Sequence, residues 1–228
     1  MANNSKPRTN AFGAAYAGSQ RQIQIYVNQK SVQLSSQVAA AINAQGDAMA
    51  PERIEWVSPL AKDSFREYQD AEFLAKVGLG TSVSALQGFW PRGGPVWDAL
   101  GVVRDPFGVL LVEAKSYPSE IFGNGCQASP PSRRRIDAAL AKTKAWLGVP
   151  QSTDWTGSLY QSANRLAHLY FLSEIVGVTA WLVNIHFFDD PHSPTTLPEW
   201  TSALKQVKAQ LGLSGISIPR AIDLFLSA

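Results

Sequence analysis

The segment Val109-Leu-Leu-Val-Glu-Ala-Lys-Ser-Tyr constrains this chain more than any other. It is apolar up to Glu113, and side chains along a strand alternate between faces. Glu113 and Lys115 therefore share one face, with Val109 and Leu111 further back on it. Opposite charges at the end of a buried strand need a partner or a task, because unpaired buried charge is costly. The stretch 96–103 predicts a second strand, and Asp105-Pro106-Phe107-Gly108 predicts the turn between the two. If that turn takes all of 105–108, Arg104 pairs with Val109, Asp98 lies opposite Lys115, and Leu100 lies opposite Glu113. Opposed residues of an antiparallel pair point the same way, so Asp98, Glu113 and Lys115 converge. A one-residue change in the turn would break this parity.

The rest of the chain supplies helices and further strands. Residues 1–20, rich in Asn, Ser, Gly and Ala, predict a loose tail. Polar and apolar residues alternate in 21–27 and predict a strand, while Leu34, Val38 and Ile42 predict a helix over 31–44. These pieces form an N-terminal extension, 1–53, ahead of a domain over 54–228. Within that domain, Phe65, Tyr68, Phe73 and Val77 predict one helix over 62–77, and 84–90 predicts a short strand. Residues 118–131 read as a loop, followed by a helix from an N-cap at Ser132 to Leu147. A helix from Thr156 or Gly157 to Ile175, a strand over 178–188, a turn over 189–194, a helix over 198–211 and a strand over 222–226 complete the chain. The order predicts an α/β (mixed α+β) domain, a central mixed sheet flanked by helices.

Composition narrows the chemistry. The chain has 228 residues, 45% of them hydrophobic, enough for one substantial core. Its formal net charge of +2 makes any nucleic-acid binding a matter of local clustering. One cysteine, Cys126, rules out an internal disulfide or a cysteine-rich zinc site, and its loop offers no neighbouring base for a thiol nucleophile. A cytoplasmic setting is expected, with no membrane partner. No Gly-x-Ser-x-Gly elbow and no P-loop occur.

Converging carboxylates are hard oxygen ligands suited to Mg²⁺ or Mn²⁺, and a lysine beside them can orient water and offset developing negative charge. Gly94-Pro95-Val96-Trp97-Asp98, then a hairpin, then Glu113-Ala114-Lys115, resembles the PD-(D/E)XK nuclease superfamily. Pro95 stands three residues before Asp98 rather than next to it. The resemblance covers about 55–190 and leaves the N-terminal extension unexplained. It implies a restriction-endonuclease-like core and a Mg²⁺-dependent nuclease, with DNA ahead of RNA as substrate. It also implies another metal-linked glutamate on the preceding helix, Glu67 or, alternatively, Glu72. In RecB-like relatives a following helix carries a Gln beside the site. Gln161 matches it, but Arg165 stands where those relatives carry Tyr. The alternative is a nuclease fold that binds nucleic acid or protein without turnover.

Other features each carry a plain reading beside a functional one. Gln161, Asn164, Arg165 and His168 share a helical stripe, suited to phosphate contacts or simply to solvent. Arg133, Arg134 and Arg135, with Lys142 and Lys144, form the clearest basic cluster, for a nucleic-acid backbone or for solvent. His186, Asp189, Asp190 and His192 are metal-ligand types, yet also suit a strand end and turn. Trp90 suits either a stacked base or packing.

Overall fold

The computed structural model describes residues 8–47, 51 and 53–228. Two helices come first, α1 (Gly18–Gln29) and α2 (Ser31–Ala44), then strand β1 (Glu55–Ser58). Short helices α3 (Asp70–Lys76) and α4 (Val83–Phe89) precede the hairpin of β2 (Ala99–Arg104) and β3 (Phe107–Lys115). Helices α5 (Pro130–Leu147) and α6 (Tyr160–Tyr170) lead to β4 (Thr179–Phe188), and α7 (Leu197–Gln210) leads to β5 (Ala221–Ser227). The sheet runs in sequence order, antiparallel from β1 to β3 and parallel from β3 to β5. Parallel neighbours need long crossovers, and α5, α6 and α7 provide them.

The strand alternation sorts the apolar residues into two cores. Leu100, Val102, Val109, Leu111 and Leu182 pack on one face under the helices that follow β1. Ala99, Leu110, Val112, Val183 and Ile185 pack on the other, beneath Ile23, Val27, Leu34 and Val38 of α1 and α2. The mixed α/β sheet with helices on both faces agrees with the fold class read from the sequence.

Several local expectations are corrected. The strand expected over 21–27 belongs to α1, because Ile23, Tyr26 and Val27 also satisfy a helical spacing and all are buried. Seven alternating residues do not separate the two periods. The tail expected over 1–20 is structured from Arg8 onward: Thr9 bridges Ala15, and the buried Gln24 side chain accepts from Ala15 N at 2.8 Å and donates to Gly13 O at 3.1 Å. Residues 1–7 of that tail, and 48–50 and 52 of the extension, lie outside the described residues. The helix expected over 62–77 is interrupted, since Ser64 and Phe65 take positive φ and end a short 3-10 turn. The strand expected over 84–90 is α4, which buries Leu86 and Phe89. α5 starts at Pro130 with Ser129 as N-cap, ahead of the expected Ser132.

Candidate active site

The β2–β3 hairpin is tighter than the sequence suggested. Arg104 pairs with Phe107, and Ala99 with Val112, so only Asp105 and Pro106 connect the strands. The register moves by two residues from the expected one. Asp98 therefore lies beside Glu113 rather than Lys115, one step beyond the Ala99–Val112 pair. An even shift preserves the face of every side chain. Convergence survives, and Asp98 Oδ2 accepts from Ala114 N at 2.7 Å.

A second pairing brings in Glu67. Tyr68 and Trp97 form an antiparallel bridge, with Trp97 N donating to Tyr68 O at 3.1 Å. Glu67 lies in the extended stretch before α3, not on a helix, and stands next to Asp98 in register. Glu72 is elsewhere, exposed on α3 and paired with Arg66 at 2.6 Å. On the other side Glu113 neighbours Asn184, which neighbours Asp223. Glu67, Asp98, Glu113, Asn184 and Asp223 thus form one polar row across the sheet.

Glu113 is held by two cations. Lys115 Nζ lies 2.5 Å from Oε1, and Arg165 Nη2 lies 2.7 Å from Oε2. The Arg165 guanidinium also donates to Asn164 Oδ1 at 2.8 Å and Val96 O at 3.2 Å, and lies over the Trp97 ring. Asn164, Arg165 and His168 are buried against the sheet side of α6, so their stripe is not a solvated face. Gln161 is exposed and borders the same cavity as Glu113 and Arg165. His168 Nδ1 is 2.8 Å from Asn164 O, and burial pulls its pKa down to about 4, leaving it neutral.

The electrostatics follow from crowding. Burial, reinforced by the charge of Glu113, drives the Asp98 carboxyl up to about 8, against the opposing pull of Lys115 and the Ala114 N–H. Burial alone would also raise Glu113, but Arg165 and Lys115 outweigh it and hold that carboxylate below its ordinary value. Burial acts to lower Lys115, and Glu113 and Asp98 more than compensate, so its ammonium is held above its ordinary value. Glu67 is raised by burial despite a hydrogen bond from Gln20 of α1 at 3.1 Å.

Among the described residues no three His, Cys, Asp or Glu side chains are grouped closely enough to hold a metal ion by themselves. Asp98 and Glu113 are the converging pair. Their hard oxygens fit a divalent cation, whose charge would offset the burial, and the lesser repulsion from Glu113, that raise the Asp98 carboxyl.

The chain matches no family model, no curated protein and no solved structure.

The remaining sequence candidates separate from this centre. Arg133 bonds Asp137 and Thr156, Arg135 donates to Gln87 O, and Arg134 is exposed, and none of the three borders the cavity at Glu113. Trp90 is buried and stacked on Tyr160 rather than open at a cleft mouth. The group around His186 is not a metal cluster: Asp190 accepts from Ser116 Oγ at 2.8 Å and from His192 N at 2.9 Å, while His186 turns to Asp223 at 3.2 Å. Sequence reading missed Gln20, Asn184, Asp223 and Lys208 as neighbours of the site. Asn184 and His186 interrupt apolar β4 at i and i+2, as Glu113 and Lys115 do in β3. That repeated interruption was the available signal.

Proposed function

We propose that this chain is a metal-dependent nuclease with a restriction-endonuclease-like core, hydrolysing phosphodiester bonds of nucleic acid, DNA ahead of RNA. The supporting observation is the convergence of half-buried Asp98 and Lys115 on buried Glu113, at the strand where the sheet passes from antiparallel to parallel pairing. Asp98 and Glu113 would hold Mg²⁺, or Mn²⁺ in its place, with Glu67 assisting through water. The cation would polarise a phosphate oxygen and lower the pKa of a bound water. Lys115, held charged, orients the attacking water and offsets charge growing on the phosphate oxygens. Arg165 holds Glu113 in place and, with Gln161, lines the approach of the substrate backbone. Without cationic help the carboxylates would repel the phosphate.

The alternative, a binding module without turnover, draws on one observation: both Glu113 oxygens are already engaged by Lys115 and Arg165. Linear, circular, single-stranded and duplex DNA, and RNA, offered with Mg²⁺, Mn²⁺ or EDTA, separate the two. Cleavage that needs the metal and disappears in Lys115→Ala is expected. Identical behaviour of wild type and Lys115→Ala on every substrate rejects the nuclease reading. Calorimetry showing no metal uptake alongside salt-sensitive DNA binding supports the module.

A further inference from the structure

The polar row does not end at the proposed centre. Past Glu113 it continues through Asn184 to Asp223, along the floor of a cavity of about 310 Å³. That volume is at the lower end of the ~300–1,000 Å³ typical of small-molecule sites. Leu182 of β4, Leu166 of α6, Val207 of α7, and Ile216 and Ile218 of the segment before β5 form apolar walls. Glu113, Lys115 and Arg165 border the same space. Asp223 is fixed by Lys208 Nζ at 2.7 Å, His186 Nε2 at 3.2 Å and Asn184 Nδ2 at 3.4 Å. His186, also lining the cavity, is buried with its Nδ1 lacking a hydrogen-bond partner among the described residues.

We propose that this cavity receives one unpaired nucleobase of the substrate strand, beside the phosphate that reacts, an inference that rests on the nuclease reading. A base has two apolar faces and a polar edge. The leucine and isoleucine walls match the faces, and the Asn184 amide, with Asp223 and Lys208 behind it, matches the edge. Asn184 is one strand spacing, ~4.8 Å, from Glu113, which suits a base joined to the reacting phosphate through its own sugar. A hydrocarbon guest would leave Asn184 and Asp223 facing apolar atoms. The cations that line the space are already paired, Lys115 and Arg165 with Glu113 and Lys208 with Asp223, so a second phosphate would have to displace a carboxylate to be held. A base stacked within a duplex cannot enter, so the substrate is single-stranded or is opened at this nucleotide, with the unstacking cost that implies.

Two measurements test this. In the first, single-stranded oligonucleotides with one abasic position, moved stepwise along the strand, are offered with Mg²⁺. Cleavage at a given bond should fall at least tenfold when the abasic position is at one register beside it, and at no other. Ile218→Trp or Ile216→Trp, each at a partly exposed position, fills the cavity from its rim. Either should slow cleavage of the intact strand to the abasic rate and leave the abasic strand unchanged, with circular dichroism confirming the fold. In the second, saturation-transfer NMR with the four nucleoside 5′-monophosphates should show the strongest transfer to base protons, lost in Ile218→Trp. Cleavage with a flat abasic scan and wild-type rates in both tryptophan variants overturns the base pocket and leaves the nuclease reading standing. Base-proton transfer that Ile218→Trp abolishes, without cleavage of any substrate, upholds the pocket and rejects the nuclease reading. Absence of both cleavage and nucleotide binding rejects both.

Discussion

Arg165 meets Glu113 with two nitrogens on one oxygen: Nε and Nη2 each lie 2.7 Å from Oε2. The arginine is on α6 and the glutamate on β3, both buried, so the pair ties the helix to the sheet at the site. Removing one member of a buried ion pair costs ~3–5 kcal/mol where it strands the other charge, but here Lys115 stays on Glu113. Arg165→Ala should therefore lose stability in urea unfolding, by less than that figure, and cleave at least tenfold more slowly. Arg165→Lys, which keeps the charge without the forked donors, should fall between. Wild-type stability in Arg165→Ala would show that the pair contributes nothing.

Asp98 should make the metal-free protein sensitive to pH. Its carboxyl has an ordinary value of 3.8 and is raised to about 8 in the fold. A raised pKa means stability that is complete below about pH 4 and is lost as pH rises through about 8. Thermal unfolding without metal should therefore shift to lower temperature between about pH 4 and 8 and level off above that. Asp98→Asn, which can still accept from Ala114 N, should flatten that dependence. Cation uptake at pH 7 should eject about one proton, read by calorimetry in buffers of different ionisation enthalpy. Proton release that is the same in Asp98→Asn would assign it to another group.

The two candidate helix glutamates now differ in location, so they should differ in effect. Glu67→Gln, in the polar row, should weaken Mn²⁺ binding or cleavage about 10–100-fold. Glu72→Gln breaks only an exposed pair with Arg66 and should stay within about twofold of wild type, since such pairs contribute ~0–1 kcal/mol. The reverse ranking would mean that Glu67 has no part in the site.

The loop carrying Asp98 depends on Asp70. Its two carboxylate oxygens accept from Gly93 N and Gly94 N, each at 2.9 Å. Gly94 fits because a Cβ there would lie 2.9 Å from Asp70 Oδ1 and 3.2 Å from His168 Nε2. Asp70→Ala should cost about 1–3 kcal/mol, accelerate hydrogen exchange at both glycine amides and reduce cleavage. Unchanged exchange would show that the loop holds its place by other contacts.

What could be read from the sequence follows from which interactions are local. Glu113 and Lys115 are two residues apart on a strand, so alternation alone placed them together. Asp98 needed the hairpin length as well, and the error there happened to be even. The helix that the sequence predicts for Glu67 breaks at Ser64 and Phe65, and what sets Glu67 in place is the bridge of its neighbour Tyr68 to Trp97, a contact between distant parts of the chain. Arg165 was visible as a departure from a pattern, yet its hold on Glu113 spans 52 positions and is a tertiary fact. The failure over 21–27 has the opposite cause: the pattern was local but served either period, and packing on the sheet chose the helix.

The Asp105-Pro106 connection also limits how such a gene can change. Removing or adding one codon in the hairpin would turn Asp98, or else Glu113 and Lys115, towards the layer of Ile23 and Leu34, where neither charge has a partner. Changes of two codons leave both strands reading the same face. Length variation among descendants of this chain should therefore come in steps of two at this tip, a parity rule imposed by the pleat of the strand on the genetic record.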